Sequence, residues 1–131
     1  MRAARQEYRV AGLPAPISHY ADAVRFGNLL FVSGLTAHDA EGRLVEGDAA
    51  QQTRRILESL RLVLTEAGAS FADVLKVTVY LTDIGDRALI NPVREEFFGE
   101  YRPASTLVEV SALALAGMRV EIEAVVGLPS A

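Results

Sequence analysis

The spacing of hydrophobic and polar residues changes from a strand-like to a helix-like period along this chain. Short apolar runs at residues 23–26 and 29–32 flank Gly27 and Asn28, a residue pair that is accepted in two-residue hairpin turns. These runs predict two antiparallel strands. Ser33 and Gly34 are expected to end the second strand.

A helical period follows this hairpin. The residues at helical spacing are Ala49, Thr53, Ile56, Leu57, Leu60, Val63, Leu64 and Ala67. They form one stripe on a helix surface. Asp48 is a favourable N-cap with Gln51 three residues later, and Gly68 is well placed just beyond the last turn. The pattern therefore predicts a helix with a cap at each end.

The second half of the chain predicts another strand and another helix. Val74–Leu81 is β-branched and mostly apolar, which predicts a strand covered on both faces. Asp86 can cap a first helical turn, and Asn91 with Pro92 resembles an N-cap and N1 pair for a helix over residues 93–101 that Pro103 stops. The residues expected to face inward are Val93, Phe97 and Tyr101, with Phe98 as an alternative.

Two more predicted strands, over residues 106–110 and 119–126, complete an α+β order with a mixed sheet and helices on one face. The alternation predicts one apolar face, formed by Val108, Val110, Val120, Ile122 and Ala124. The other face carries Leu107, Glu109, Glu121 and Glu123. This second face is either solvated or a subunit interface with carboxylates in a cleft, and the pattern does not choose between them.

Length and composition narrow the class of protein. The 131 residues, half of them hydrophobic, predict one domain over 1–131. The chain has no Cys and two His, which excludes thiolate chemistry and a His-rich metal cage. A net charge of −4 offers little for binding nucleic acid, and neither a membrane span nor a signal peptide is recognisable. We expect a cytoplasmic domain with neither a nucleic-acid nor a membrane partner.

The remaining candidate chemistry is scattered, because the common nucleophile, nucleotide and zinc motifs are absent. His19 and Tyr20 form either a titratable pair or a loop that packs the His ring. Glu121 and Glu123 are either solvated charges or include a general acid/base in a dry cleft. From the residues alone, we infer an oligomeric α+β domain in which a carboxylate site is one of two open alternatives.

Several segments together resemble the YjgF/Rid family, the reactive-intermediate deaminases, which is also labelled endoribonuclease L-PSP. The similarity covers residues 16–126 in the family's order and spacing. The matching segments are residues 27–34, 51–68 and 72–83, then Asn91, Phe97 and Phe98, and residues 102–104, 108–110 and 120–124.

The resemblance implies a chorismate-mutase-like fold, a mixed six-stranded sheet with two helices on one face, assembled as a homotrimeric barrel. Clefts between its subunits would bind a small-molecule substrate. It also implies hydrolysis of enamines and imines, such as 2-aminoacrylate, to a 2-keto acid and ammonia without metal or organic cofactor. The labels ribonuclease and translation inhibitor fit poorly with the acidic composition.

Four residues match cleft positions of the family deaminases: Tyr20, Ser33, Asn91 and Glu121. The resemblance implies that Tyr20 lines the pocket, while Ser33 and Asn91 hydrogen-bond the substrate or order the site. Glu121 would orient water or move a proton at the imine carbon and nitrogen. We take Glu121 and His19 as the predicted catalytic pair.

Three departures from the family pattern change the expected substrate. Ser105 stands where the deaminases carry an Arg that clamps the substrate carboxylate, and a hydroxyl replaces neither its charge nor its forked geometry. Leu107 replaces a frequent Cys, and His19 replaces a Pro.

These departures predict a divergent member that acts on a C–N compound other than the standard 2-aminoacrylate. Its substrate would be more apolar and less dependent on a carboxylate. The alternative is a metabolite-binding trimer without turnover. The sequence offers Arg25, Arg102 and Arg119 as substitute cations, although surface or interface ion pairs are the expected role of each.

Overall fold

The computed structural model describes residues 4–129, so residues 1–3 and 130–131 of the predicted domain lie outside the described part. The strands are β1 (Arg5–Tyr8), β2 (Ala23–Phe26), β3 (Leu29–Leu35), β4 (Val74–Leu81), β5 (Ala104–Glu109) and β6 (Val120–Gly127). The helices are α1 (Ala49–Glu66) and α2 (Arg87–Phe98). No helix within residues 4–129 is long and apolar enough to cross a membrane.

The strands form one mixed sheet in the order β1-β2-β3-β6-β4-β5. Neighbouring strands are antiparallel except for β4 and β5, which are parallel. Both helices cover one face of this sheet, which confirms the predicted α+β class and the six-stranded mixed sheet. The hairpin of β2 and β3 is also confirmed, although β3 does not end at Ser33 and Gly34 but continues through a bulge to Leu35. The edge strand β1 was not predicted.

Helix α1 forms as its sequence predicts. The Asp48 side chain accepts from the Gln51 N–H while the Gln51 side chain accepts from the Asp48 N–H, which is a complete capping box. Gly68 follows the helix at a positive φ of 75°. The apolar stripe of α1 is buried against β3 and β6, and its largest residues are Ile56, Leu57, Leu60, Val63 and Leu64.

The predicted start of α2 at Asn91 and Pro92 is wrong, because the helix begins at Arg87 and contains Pro92. Its apolar face extends one turn further towards the N-terminus, where Ile90 is fully buried three residues before Val93. Pro92 has no N–H to donate, so the helix lacks one internal hydrogen bond at that point. A cap-like residue pair inside an amphipathic segment therefore did not mark a helix start.

The inward face of α2 also differs in part from the prediction. Val93 and Phe98 are buried, but Tyr101 is 51% exposed because the helix ends at Phe98 and Gly99. Phe97 is only half-buried, and the Arg61 guanidinium of α1 lies 4.9 Å from the centre of its ring.

The face predicted for β5 is wrong as well. Leu107 pairs with Val79 of β4, and both lie on the helix-covered face, where Leu107 packs against the core. Val108 pairs with Tyr80, which in turn pairs with Glu121 of β6, so Val108 shares the open face with that carboxylate. The face on which each residue of β5 lies depends on the register between β4 and β5. Alternation within β5 does not specify that register.

The open face of the sheet is apolar over β2 and the start of β3 in a single chain. Phe26, Leu29 and Phe31 lie on it and are 51%, 41% and 50% exposed. The prediction that β4 is covered on both faces is therefore wrong for one chain, since Val77 and Val79 are buried while Tyr80 on the other face is not. Aromatic and aliphatic side chains of this size on a sheet face are typical of a surface that meets another protein surface.

Candidate functional site

A cavity of about 380 Å³ lies beside the end of β3, and we call it the Glu121 cavity. Its polar side chains are Ser18, Tyr20, Ser33, Thr36, His38 and Glu121. Its remaining lining residues are Pro14, Ala15, Ile17, Gly34, Gly42, Ala114, Leu115 and Met118. This concave and mostly apolar site with a few polar groups has the usual character of a small-molecule site.

A β-bulge in β3 shapes the floor of the cavity. Val32 pairs with Ala124 and Leu35 with Ile122, so Ser33 and Gly34 together oppose a single residue of β6. The Glu121 side chain lies directly over Gly34. A Cβ at Gly34 would overlap Oε2 of Glu121 and lie 2.8 Å from its Cδ. The missing side chain at position 34 therefore provides the space that the Glu121 carboxylate occupies.

Glu121 is the carboxyl group of this cavity, and its surroundings shift its pKa. Burial raises its pKa above the usual value, and the neighbouring charge of Glu123 raises the pKa further. Glu123 itself is exposed and accepts a hydrogen bond from the Tyr80 hydroxyl at 3.1 Å. Glu121 is thus suited to exchange a proton closer to neutral pH than an ordinary carboxyl group does.

Ser33 and Tyr20 are held in place by backbone groups. The Ser33 hydroxyl donates to the Ala21 carbonyl at 2.6 Å, which leaves its oxygen lone pairs able to accept a hydrogen bond from a ligand. The Tyr20 hydroxyl accepts from the Ile17 N–H at 3.3 Å and keeps its own proton for donation. The structure therefore brings Tyr20, Ser33 and Glu121 to one cavity.

Thr36 and His38 also line this cavity, although the sequence pattern did not point to either of them. His38 is only 7% exposed, and its Nδ1 lies 2.8 Å from the Thr36 hydroxyl oxygen. Its backbone is held from two sides, by a β-bridge to Leu44 and by Arg55 of α1, which donates to the His38 carbonyl at 3.3 Å. The only sequence signal was that His38 is one of two histidines and follows a strand end.

His19 lies outside the Glu121 cavity. It is exposed, and it is not among the lining residues although its neighbours Ser18 and Tyr20 are. The described geometry thus places His38, and not His19, in one cavity with Glu121.

The segment over residues 111–119 contributes the apolar wall of the cavity and is fixed by a buried glutamine of α1. Gln52 donates from Nε2 to the Gly117 carbonyl at 3.0 Å and accepts from the Arg119 N–H at 2.9 Å. These two bonds flank Met118, which is buried and lines the cavity. They satisfy two backbone groups that would otherwise be costly to leave without partners.

Asn91 and Ser105 line a different pocket, of about 260 Å³, between α2 and β5, which we call the Arg94 pocket. Its lining residues are Asn91, Arg94, Glu95, Phe98, Tyr101, Arg102, Pro103 and Ser105. None of them lines the Glu121 cavity. Leu107 lines neither, because it faces the core. Within one chain, the residues predicted for a single cleft are therefore divided between two places.

The predicted substitute cations are also spread out. Arg25 donates to the Gly27 carbonyl at 3.0 Å, Arg119 is exposed, and Arg102 lines the Arg94 pocket. A further arginine, Arg94 of α2, donates from Nη2 to the Ser105 hydroxyl at 2.9 Å.

Two chemical features of the described residues limit what the Glu121 cavity can do. No Lys or Arg of residues 4–129 lines it, so it offers no positive side chain to a ligand. Over the same part of the chain, no group of three or more metal-ligating His, Asp or Glu side chains is present. The available chemistry is a proton-exchanging carboxyl group, an imidazole and hydroxyls beside an apolar wall.

Comparison with known proteins identifies the family. The protein-family model described as Endoribonuclease L-PSP matches residues 11–127. A RutC family protein of Pyrococcus abyssi is 50% identical over 101 residues, which is 76% of this chain and 80% of that protein. A bovine protein named 2-iminobutanoate/2-iminopropanoate deaminase is 37% identical over 122 residues, 92% of this chain and 88% of that protein. The crystal structure of RidA from an Antarctic Psychrobacter superimposes with a TM-score of 0.89 at 35% identity, covering 94% of this chain and 99% of that chain.

Proposed function

The chain belongs to the YjgF/Rid family, and we propose that it is a deaminase that hydrolyses an enamine, imine or related C–N metabolite without a cofactor. The observation that carries this proposal is Glu121, a carboxyl group whose pKa burial raises, in a mostly apolar cavity with hydroxyl and imidazole groups around it. The bovine relative is named for the same class of reaction on 2-imino acids.

The reaction needs little more than a placed water and a proton carrier, because a protonated imine is already electrophilic. In the proposed mechanism, water adds to the imine carbon as the Glu121 carboxylate accepts one of its protons. Glu121 then returns that proton to the amino nitrogen. The C–N bond breaks, ammonia leaves with the electron pair, and loss of the hydroxyl proton completes the carbonyl product. An enamine would first be protonated at carbon to give the imine.

We assign binding roles to the two hydroxyls. The Ser33 oxygen accepts from the substrate nitrogen, since its own proton is donated to Ala21. The Tyr20 hydroxyl donates to a substrate oxygen or to the attacking water, since the Ile17 N–H occupies its acceptor side.

The lining of the cavity favours a bulky apolar substrate. Ile17, Leu115 and Met118 form an apolar wall, and no cation among residues 4–129 lines the cavity to hold a carboxylate there. On this basis we propose a substrate that is bulkier and more apolar than 2-aminoacrylate.

We also propose that the open sheet face is buried in a homotrimer. Phe26, Leu29 and Phe31 expose a contiguous apolar surface, which is costly to leave in water. Sedimentation equilibrium at micromolar concentration is expected to give three times the chain mass, and Phe31→Glu is expected to lower it. A monomeric mass for the unaltered protein would contradict the trimer.

The activity is tested on 2-imino acids that an amino-acid oxidase generates in the assay, with side chains from small to bulky. Semicarbazide traps the remaining imine, so a deaminase lowers the semicarbazone signal. We expect acceleration that is largest for bulky apolar side chains. A family deaminase with Arg at the position of Ser105 is the positive control. Ligand stabilisation without turnover would instead indicate a metabolite-binding trimer.

The two histidines are expected to respond differently in this assay. His38→Gln is expected to lower turnover by about tenfold or more, because His38 lines the Glu121 cavity beside Thr36. His19→Gln is the matched control and is expected to stay within about twofold, since His19 is exposed outside the cavity. A loss of turnover in His19→Gln but not in His38→Gln would instead support the catalytic pair of Glu121 and His19 that the sequence predicts.

A further inference from the structure

A smaller cavity of about 40 Å³ adjoins the Glu121 cavity, and we call it the Ser59 cavity. The residues that line both cavities are Pro14, Tyr20, Ser33, Gly34 and Thr36. Asp22 and Ser59 line the smaller cavity but not the larger one. A single water molecule needs roughly 10–15 Å³ of such space, so the Ser59 cavity is large enough to hold water.

Ser59 of α1 contributes a buried hydroxyl to this cavity. The residue is 2% exposed, and its Oγ has no hydrogen-bond partner among residues 4–129. A serine inside a helix can donate to the carbonyl four residues earlier, but Ser59 makes no such bond to the Arg55 carbonyl. A buried hydroxyl without a partner is costly, and an internal water would satisfy it.

Two groups that line the cavity can accept a hydrogen bond. Asp22 is 4% exposed and accepts from the Val10 N–H at 2.8 Å and from Arg9 at 2.6 Å. Both of these bonds are made to Oδ2, so Oδ1 can accept from a further donor. The Ser33 hydroxyl donates its proton to the Ala21 carbonyl, so its oxygen can accept as well.

One donor and two acceptors around a space of this size match the hydrogen-bonding groups of water. We propose that the Ser59 cavity binds an ordered water, which accepts from the Ser59 hydroxyl and donates to the Asp22 carboxylate and to the Ser33 oxygen. This arrangement gives the water about three hydrogen bonds, which is typical of a buried water. The water connects α1 to the bulge of β3, and it leaves the second lone pair of Ser33 free to accept from a substrate.

The test is oxygen-17 relaxation dispersion of the water signal in a solution of the full-length protein. This measurement detects water molecules held inside a protein, and exchanging hydroxyl protons do not contribute to it. Ser59→Asn is expected to remove at least one long-lived water per chain, because the longer amide side chain occupies the cavity and offers its own donor to Asp22 or Ser33. Unchanged dispersion in a folded Ser59→Asn would overturn the proposal.

Thr53→Val is the matched control. Thr53 lies on the same helix and also has a buried hydroxyl without a partner among residues 4–129, but it lines none of the Ser59 cavity, the Glu121 cavity and the Arg94 pocket. We expect its dispersion to equal that of the unaltered protein. An equal loss of water in Thr53→Val and Ser59→Asn would mean that the water is not held in the Ser59 cavity.

A high-resolution crystal structure of the unaltered protein makes the test decisive even if Ser59→Asn fails to fold. We expect density for a water within about 2.5–3.0 Å of the Ser59, Asp22 and Ser33 oxygens. An empty cavity, or a Ser59 hydroxyl that donates to the Arg55 carbonyl instead, would overturn the proposal. Neither measurement needs turnover, so the result does not depend on the proposed hydrolysis.

Discussion

Glu121→Gln is expected to reduce turnover of a 2-imino acid that the unaltered protein accepts by about a hundredfold or more. The amide keeps the size of the side chain and its place over Gly34, but it cannot take a proton from the attacking water or return one to the leaving nitrogen. Because the change removes a buried ionisable group, we expect no loss of thermal stability. The measurement is single-substrate kinetics in the semicarbazide assay, together with a thermal melt.

Glu123→Gln is the matched control, because Glu123 lies two residues away on the same face of β6 and is exposed. Its charge helps to raise the pKa of Glu121, after the larger effect of burial. Removing that charge lets Glu121 ionise at lower pH. If the Glu121 carboxylate is the base, the acidic limb of the pH–rate profile moves to lower pH in Glu123→Gln, while the maximal rate changes little.

These two variants separate the proposed role from a merely structural one. A structural carboxylate would leave the pH profile in place when Glu123 is neutralised. Turnover of Glu121→Gln equal to that of the unaltered protein would refute the assignment of Glu121.

The part of the fold that the sequence predicts well is the part specified by local interactions. Helix α1 is an example, since its capping box and its apolar stripe lie within one segment. The start of α2 was predicted wrongly from local chemistry at Asn91 and Pro92, where the burial of Ile90 extends the helix. Local signals fail where tertiary packing competes with them.

In the candidate site too, local pattern predicts some positions and tertiary contacts determine the others. Alternation places Glu121 and Glu123 on one face of β6 correctly, because a strand has period two. It cannot place Leu107, since the face of β5 depends on its register with β4. His38 could not be located from the sequence either, because its position depends on a β-bridge to Leu44 and on a contact from Arg55 of the following helix.

Gly34→Ala is expected to lower turnover by tenfold to a hundredfold, although position 34 carries no functional group. Its Cβ would overlap Oε2 of Glu121 and lie 3.1 Å from Cγ, so the carboxylate must move. The backbone of Gly34 is not in the left-handed region, and alanine is therefore tolerated by the main chain itself. A displacement of about 1 Å at a reacting group can cost about a hundredfold in rate.

Gly85→Ala is the matched control, since its Cβ would meet only the exposed Asp83 side chain, at 3.1 Å. We expect that variant to keep full turnover. The decisive comparison combines Gly34→Ala with Glu121→Gln. If alanine acts by displacing the Glu121 carboxylate, it adds no further loss once that carboxylate has been replaced, and the two effects are strongly non-additive. Additive losses would mean that Gly34 acts on something other than Glu121, such as the course of the bulge that also positions Ser33.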